Sequence, residues 1–145
     1  MRIVLQRVAR AEVRVGGERV AACGLGLLLL AGVGAEDDGS EIPGLAAKIA
    51  GLRVFEDDAG KMNLSLDDVA GEVLLVPNFT LFGDTRKGRR PSWVGAAPPE
   101  VAEARVEALC RALEGHGLTV HRGAFGAHME VELVNDGPVT LVLEA

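Results

Sequence analysis

The sequence predicts an α+β fold: a mainly antiparallel sheet, curled toward a barrel-like core, with two helices packed on it. Three observations predict it. About seven segments read as apolar or alternating runs bounded by turn residues. Only two stretches space their apolar residues at helical intervals. Most of the strand segments lie close enough in the chain to be joined as hairpins, and the 145 residues suit a single domain over 1–145.

Arg2 to Val15 reads as a long first strand, with Ile3, Leu5, Val13 and Val15 alternating with polar neighbours over parts of it. Gly16-Gly17 is a hairpin turn, and Glu18 to Ala22 returns as the second strand. Cys23-Gly24 breaks it, and Leu25 to Val33 is an apolar third strand. After a loop rich in Gly and Asp, with Ser40 as candidate N-cap, Ile42, Leu45, Ala46 and Ile49 mark a helix over Ile42 to Gly51. Leu52 to Phe55 and Asn63 to Leu66 read as short strands. Val73 to Val76 runs without alternation, as a strand buried on both faces would. Ala96-Ala97-Pro98-Pro99-Glu100 opens the second helix, whose Ala102, Val106, Leu109 and Leu113 share a face, and Gly115-His116-Gly117 ends it. Leu118 to Arg122, Ala127 to Val134 and Val139 to Leu143 are the last strands, the final two separated by a turn at Asn135-Asp136-Gly137-Pro138.

Composition removes several function classes. The formal charge of −6 argues against general coating of nucleic acid, although a local cationic patch is still open. Aromatics make up 3% and Tyr is absent, which speaks against an extended base-stacking platform. Cys23 and Cys110 form no Cys-x-x-Cys pair, and His116, His121 and His128 lack metal-ligand spacing, so no metal and no cofactor is expected. Unpaired cysteines suit a reducing, cytoplasmic compartment. Polar residues interrupt the first residues too early for a signal peptide, and the longest apolar run, Leu25 to Gly34, is far short of the roughly 20 residues a membrane helix needs.

The stretch from Val76 to Trp93 is the chemical centre of interest. An apolar strand ends at Pro77 and gives way to a mobile polar loop carrying Arg86, Lys87, Arg89 and Arg90. Such a loop can meet phosphates; its plainer reading is a solvated basic turn. Thr80 is the hydroxyl at the strand-to-loop transition. As a nucleophile it would need a base, and none is near in sequence; otherwise it is a β-branched strand residue. Because Pro77 cannot donate to a ladder, the N–H groups of Asn78, Phe79 and Thr80 are candidates to face a ligand and steady an oxyanion. The second candidate segment is Asn135 to Thr140. On base rates alone its Gly137–Pro138 bond is expected to be trans.

Together these segments resemble the D-aminoacyl-tRNA deacylase family. Gln6-Arg7-Val8 with Ala11 and Val13 is similar to the family's opening strand. Phe79-Thr80-Leu81 followed by Lys87-Gly88-Arg89-Arg90-Pro91-Ser92 resembles its first signature. Gly123-Ala124-Phe125-Gly126-Ala127-His128-Met129 and Asn135 to Thr140 resemble its second. The chain departs from the pattern at Pro77-Asn78, where the family has Ser-Gln. A related branch that acts on mischarged L-aminoacyl-tRNA also carries Pro there, whereas Phe79 and Arg7 favour the D-specific branch.

The resemblance implies a homodimer that hydrolyses the ester between a D-amino acid, or glycine mischarged on tRNA-Ala, and the terminal ribose. Gly137-Pro138 would be a cis peptide inserted into the partner's pocket and holding the substrate's amino group, with Arg7 fixing that conformation. Asn78, Phe79, Thr80 and Met129 would bound the pocket beside the 3′ adenosine of the tRNA. Arg86, Lys87, Arg89 and Arg90 would attract the tRNA's phosphates. The chemistry implied is assisted by the substrate's 2′-hydroxyl, with backbone N–H groups near Phe79 at the oxyanion and Thr80 as a positioning residue. The rival readings are the L-specific editing enzyme and a non-catalytic RNA-binding module that uses only the Arg86–Arg90 loop.

Overall fold

A computed structural model describes residues 1–145. Eight strands, two α-helices and one short 3₁₀ helix follow in the order β1 (Arg2–Val15), β2 (Glu18–Cys23), β3 (Gly26–Gly32), α1 (Ile42–Gly51), β4 (Phe55–Glu56), β5 (Met62–Leu64), β6 (Glu72–Pro77), the 3₁₀ helix Phe79–Phe82, α2 (Pro99–Gly115), β7 (Val120–Arg122) and β8 (Glu130–Glu144). The main sheet runs β2-β1-β3-β6-β7, with β8 on the other edge of β1. The long β1 shares one edge between β3, which pairs with its first half, and β2, which pairs with its second. This sharing curls the sheet toward a barrel. Antiparallel pairings prevail, and the two parallel ones, β3 with β6 and β6 with β7, close crossovers that contain the helices.

The unbroken apolar runs are explained by burial on both sides. Leu27, Leu29, Ala31, Val73 and Leu75 face a core that includes Ile42, Leu45 and Ile49 of α1 and Val106, Leu109 and Leu113 of α2. Leu28, Leu74 and Val76 face a second, smaller core with Val8, Ala11 and Val13, onto which Met129, Val131 and Leu133 fold. Side chains alternate across a strand, so a strand between two cores must be apolar throughout. The helix boundaries agree with the sequence reading, but Ser40 does not cap α1. Glu41 takes that position without a side-chain cap, and Ser40 is held by Asp38 instead.

Two sequence expectations change. The segments read as short strands around residues 52–66 shrink to the isolated hairpin β4–β5. The last two strands are one continuous β8. Its pairing with β1 passes from Gln6 opposite Thr140 to Val8 opposite Asn135, so Arg7 alone faces the four residues Asp136 to Val139. The extra residues bulge out, and the ladder resumes on the same neighbour.

Candidate functional site

β6 delivers the chain to the site and stops where it must. Pro77 is its last residue, opposite Ala31, and its missing N–H ends the ladder. Asn78 then makes the turn. Its N–H donates to Ala31 O at 2.8 Å, and its Oδ1 accepts from Thr80 N–H at 3.2 Å and from the Thr80 hydroxyl. Asn78 is therefore the side-chain cap of the 3₁₀ helix Phe79–Phe82. This corrects the expectation of three free donors. The N–H groups of Asn78 and Thr80 are occupied, while the hydrogen bonds of this turn leave out that of Phe79. Arg2 braces the far side, donating from Nη1 to Leu81 O at 2.6 Å and lying 4.9 Å from the centroid of Phe82.

Beside this turn is a cleft of about 690 Å³. Its floor is the ends of β3 and β6, its walls the first turns of α2 and the segment from Phe125 to Val131. Asn78, Phe79 and Met129 line it, and Thr80 does not. The lining is mostly apolar, and His128 is its one titratable side chain. No base stands ready for a Thr80 nucleophile, because the hydroxyl is spent on Asn78. What the arrangement offers is a mostly apolar slot of ligand size, lined by Phe79, whose N–H no hydrogen bond of the turn uses.

The scarcity of aromatics hid how they cluster. Phe79, Trp93 and Phe125 line the same cleft, and Phe79 meets Trp93 edge to face with centroids 5.4 Å apart. Neither Trp93 nor Phe125 is among the site residues that the sequence motifs imply. The only usable signal was a single Trp directly after the basic loop. The exposed loop that carries the cations is anchored at its base. Two main-chain hydrogen bonds between Asp84 and Ser92, at 2.8 and 2.9 Å, close its base. Asp84 also grips Arg86, with Nη2 to Oδ2 at 2.6 Å, and these bonds hold the Asp84 carboxyl down to about 2. Arg86 is thus matched locally, while Lys87, Arg89 and Arg90 have no carboxylate partner within 4.0 Å.

Arg7 and the bulge in β8 form a second cluster. Arg7 is 5% exposed. Its Nη1 donates to Val54 O at 2.7 Å and its Nε to Asp136 O at 3.0 Å. Asn135 Nδ2 donates to Arg7 O at 2.9 Å and to Val139 O at 3.0 Å, clamping both ends of the bulge. The Gly137–Pro138 peptide at its tip is cis, against the base-rate expectation of trans. Gly137 has φ +132° and Pro138 is exposed. Neither residue lines the cleft of its own chain.

Residues 4–144 match the family described as D-Tyr-tRNA(Tyr) deacylase. A D-aminoacyl-tRNA deacylase of Desulfatibacillum aliphaticivorans is 57% identical over 145 residues, covering 100% of this chain and 99% of the relative. One from Anaeromyxobacter dehalogenans (strain 2CP-C) is 56% identical, covering 100% and 97%. Among solved structures, one named c-Myc DNA Unwinding Element Binding Protein superposes with TM-score 0.92 at 42% identity, covering 100% of this chain and 99% of that one. A structure of a probable eukaryotic D-amino acid tRNA deacylase shares the fold, with TM-score 0.84 at 17% identity over 98% of this chain and 97% of its own.

Proposed function

The chain belongs to the D-Tyr-tRNA(Tyr) deacylase family and is an aminoacyl-tRNA hydrolase, and from that premise we propose how it selects and cleaves its substrate. The aminoacylated 3′ adenosine enters the cleft beside Phe79 and Met129. Lys87, Arg89 and Arg90 attract the phosphates behind it, with Arg86 contributing less because Asp84 neutralises it. The observation that carries this reading is the convergence of two motifs far apart in sequence: Phe79 of the first and Met129 of the second line one cleft.

Chirality is read by exclusion. Gly137 and Pro138 stand exposed and away from the cleft of their own chain, so they reach into that of a second copy in a homodimer. Their carbonyls hold the substrate's amino group, and their backbone occupies the space an L side chain would need. A wall against the α-carbon works for any side chain, whereas attractive contacts would have to be made anew for each. Glycine, which has no side chain, passes, so glycyl-tRNA charged on tRNA-Ala is a further substrate. Arg7 and Asn135 keep the wall in place.

In the chemical step, water adds to the ester carbonyl and the ribose oxygen leaves with a proton. The neighbouring 2′-hydroxyl helps activate the water, and Phe79 N–H steadies the oxyanion. Thr80 positions Asn78 and the turn, and does not attack. No metal or cofactor enters this scheme. The substrate is made in the cytoplasm, which is where this reading places the enzyme.

A panel of tRNAs charged with D-Tyr, Gly or L-Ala tests the reading. Release of D-Tyr and Gly with L-Ala spared is the expected result. Selective release of L-Ala would make the chain the L-specific editing enzyme, and RNA binding without any release would make it a binding module.

A further inference from the structure

We propose that Trp93, with Phe79 as its edge support, is a stacking platform for the nucleobase that precedes the terminal adenosine. The inference rests on the deacylase reading above and adds a contact to it. Trp93 sits at the rim of the cleft, immediately after the basic loop. Its position is fixed from two sides. A methyl group placed on Gly83 would come within 2.6 Å of Trp93 Cζ3, so the indole lies directly on bare backbone. The ring of Phe79 meets it at 76°. Yet Trp93 is still 42% exposed and Phe79 55%. Large aromatic surface is held rigid and left open to solvent, although its burial would be favourable.

The neighbourhood says what covers it. The loop that ends at Trp93 presents Lys87, Arg89 and Arg90 without carboxylate partners, and the cleft on the other side has room for one aminoacylated nucleoside. Trp93 both lines the cleft and follows the basic loop in the chain, so in this proposal a single strand running from the cleft to the cations passes over the indole. Aromatic faces between an apolar pocket and a basic strip bind successive bases of single-stranded nucleic acid, largely without regard to base identity.

The chain's single Trp, with no Tyr, makes its fluorescence a direct report from this position. Wild-type protein is titrated with the trinucleotide cytidyl-cytidyl-adenosine and, separately, with adenosine 5′-monophosphate. The trinucleotide is expected to quench the emission at saturation and the mononucleotide far less, because only the trinucleotide carries a base that can stack on the indole. Trp93→Leu keeps apolar bulk against Gly83 but has no π face, and Trp93→Phe restores one. On D-Tyr-tRNA, Trp93→Leu is expected to raise KM roughly tenfold, within the range that base–aromatic stacking supplies, and Trp93→Phe to recover most of the loss. On D-Tyr-adenosine, which ends before the platform, the same comparison gives a ratio about tenfold smaller. Equal quenching by the two ligands, or a KM on D-Tyr-tRNA that ignores the substitution while wild type deacylates normally, would overturn the platform and leave the deacylase reading intact. Failure of wild type on every charged tRNA would remove the reading and the platform together.

Discussion

Replacing Arg7 by Ala should be among the most damaging single changes in the molecule. The guanidinium is almost fully buried and donates to Val54 O and Asp136 O, which no other donor in the site serves. Hydrogen bonds from a charged group contribute about 1.5–3 kcal/mol each, and leaving buried acceptors unpaired adds their desolvation. The ion pairs to Asp136 and Glu56, at 3.3 and 3.9 Å, involve half-exposed carboxylates and add little. The expected loss is about 3–5 kcal/mol, a large share of the ~5–15 kcal/mol that holds a domain together. At this chain length that lowers Tm by about 10–20 °C. Asn135→Ala removes two neutral hydrogen bonds to the same bulge and should cost only about 1–2 kcal/mol. Because both residues clamp one segment, the double variant should cost less than the sum, with a coupling of about 0.5–3 kcal/mol. Thermal and urea unfolding of the four proteins measures all of this. An Arg7→Ala protein that melts within about 3 °C of wild type, or strict additivity with Asn135→Ala, would refute the claim that Arg7 braces the bulge.

Other expectations follow from the same geometry. Gly137→Ala puts a methyl 3.0 Å from Arg7 Nη2 and from Val139 at φ +132°, so D-Tyr-tRNA turnover should fall at least tenfold while gel filtration still shows the assembled protein. Thr80→Ala breaks only one side-chain hydrogen bond to the cap and should keep activity within about tenfold of wild type; a fall beyond a thousandfold with folding intact would restore a nucleophilic Thr80. Gly26→Ala would place Cβ 1.8 Å from Glu72 O at the start of the parallel β3–β6 pair, and soluble expression is expected to collapse. Glu107 and Glu114 are held below their ordinary 4.5 by hydrogen bonds from Arg122. Their contribution is therefore full above that value and is lost as pH falls through the lower folded values. Arg122→Met should flatten the fall of Tm as pH drops below that ordinary value, and an unchanged slope would remove the network from the acid response.

The sequence carried the helices well because their apolar residues repeat at 3.6 and prolines and glycines punctuate their ends. It also carried the unusual burial of β6, since four consecutive apolar residues can only sit between two cores. It could not show that Asp136 to Val139 interrupts β8 without ending it, because a bulge and a loop share the same turn residues, and only the partner register of β1 tells them apart. The site was partly legible. Asn78, Phe79 and Met129 line one cleft, whereas Thr80 does not and has its hydroxyl and N–H engaged by Asn78. The roles of Trp93 and Arg2 are set by what folds against them, Gly83 in one case and the Leu81 carbonyl in the other. Local spacing contains no trace of such long-range contacts.

The central claim is that one copy's Gly137-Pro138 completes the other copy's cleft, and subunit complementation tests it most directly. Gly137→Val, which spoils the wall, and Asn78→Ala, which spoils the turn, are each inactive alone in this account. Unfolded together and refolded as a one-to-one mixture, they should recover about a quarter of wild-type D-Tyr-tRNA deacylation, because half the dimers are mixed and each has one intact site. A mixture that stays as inactive as its parents, although mixed dimers have formed, would contradict a wall supplied by the second subunit.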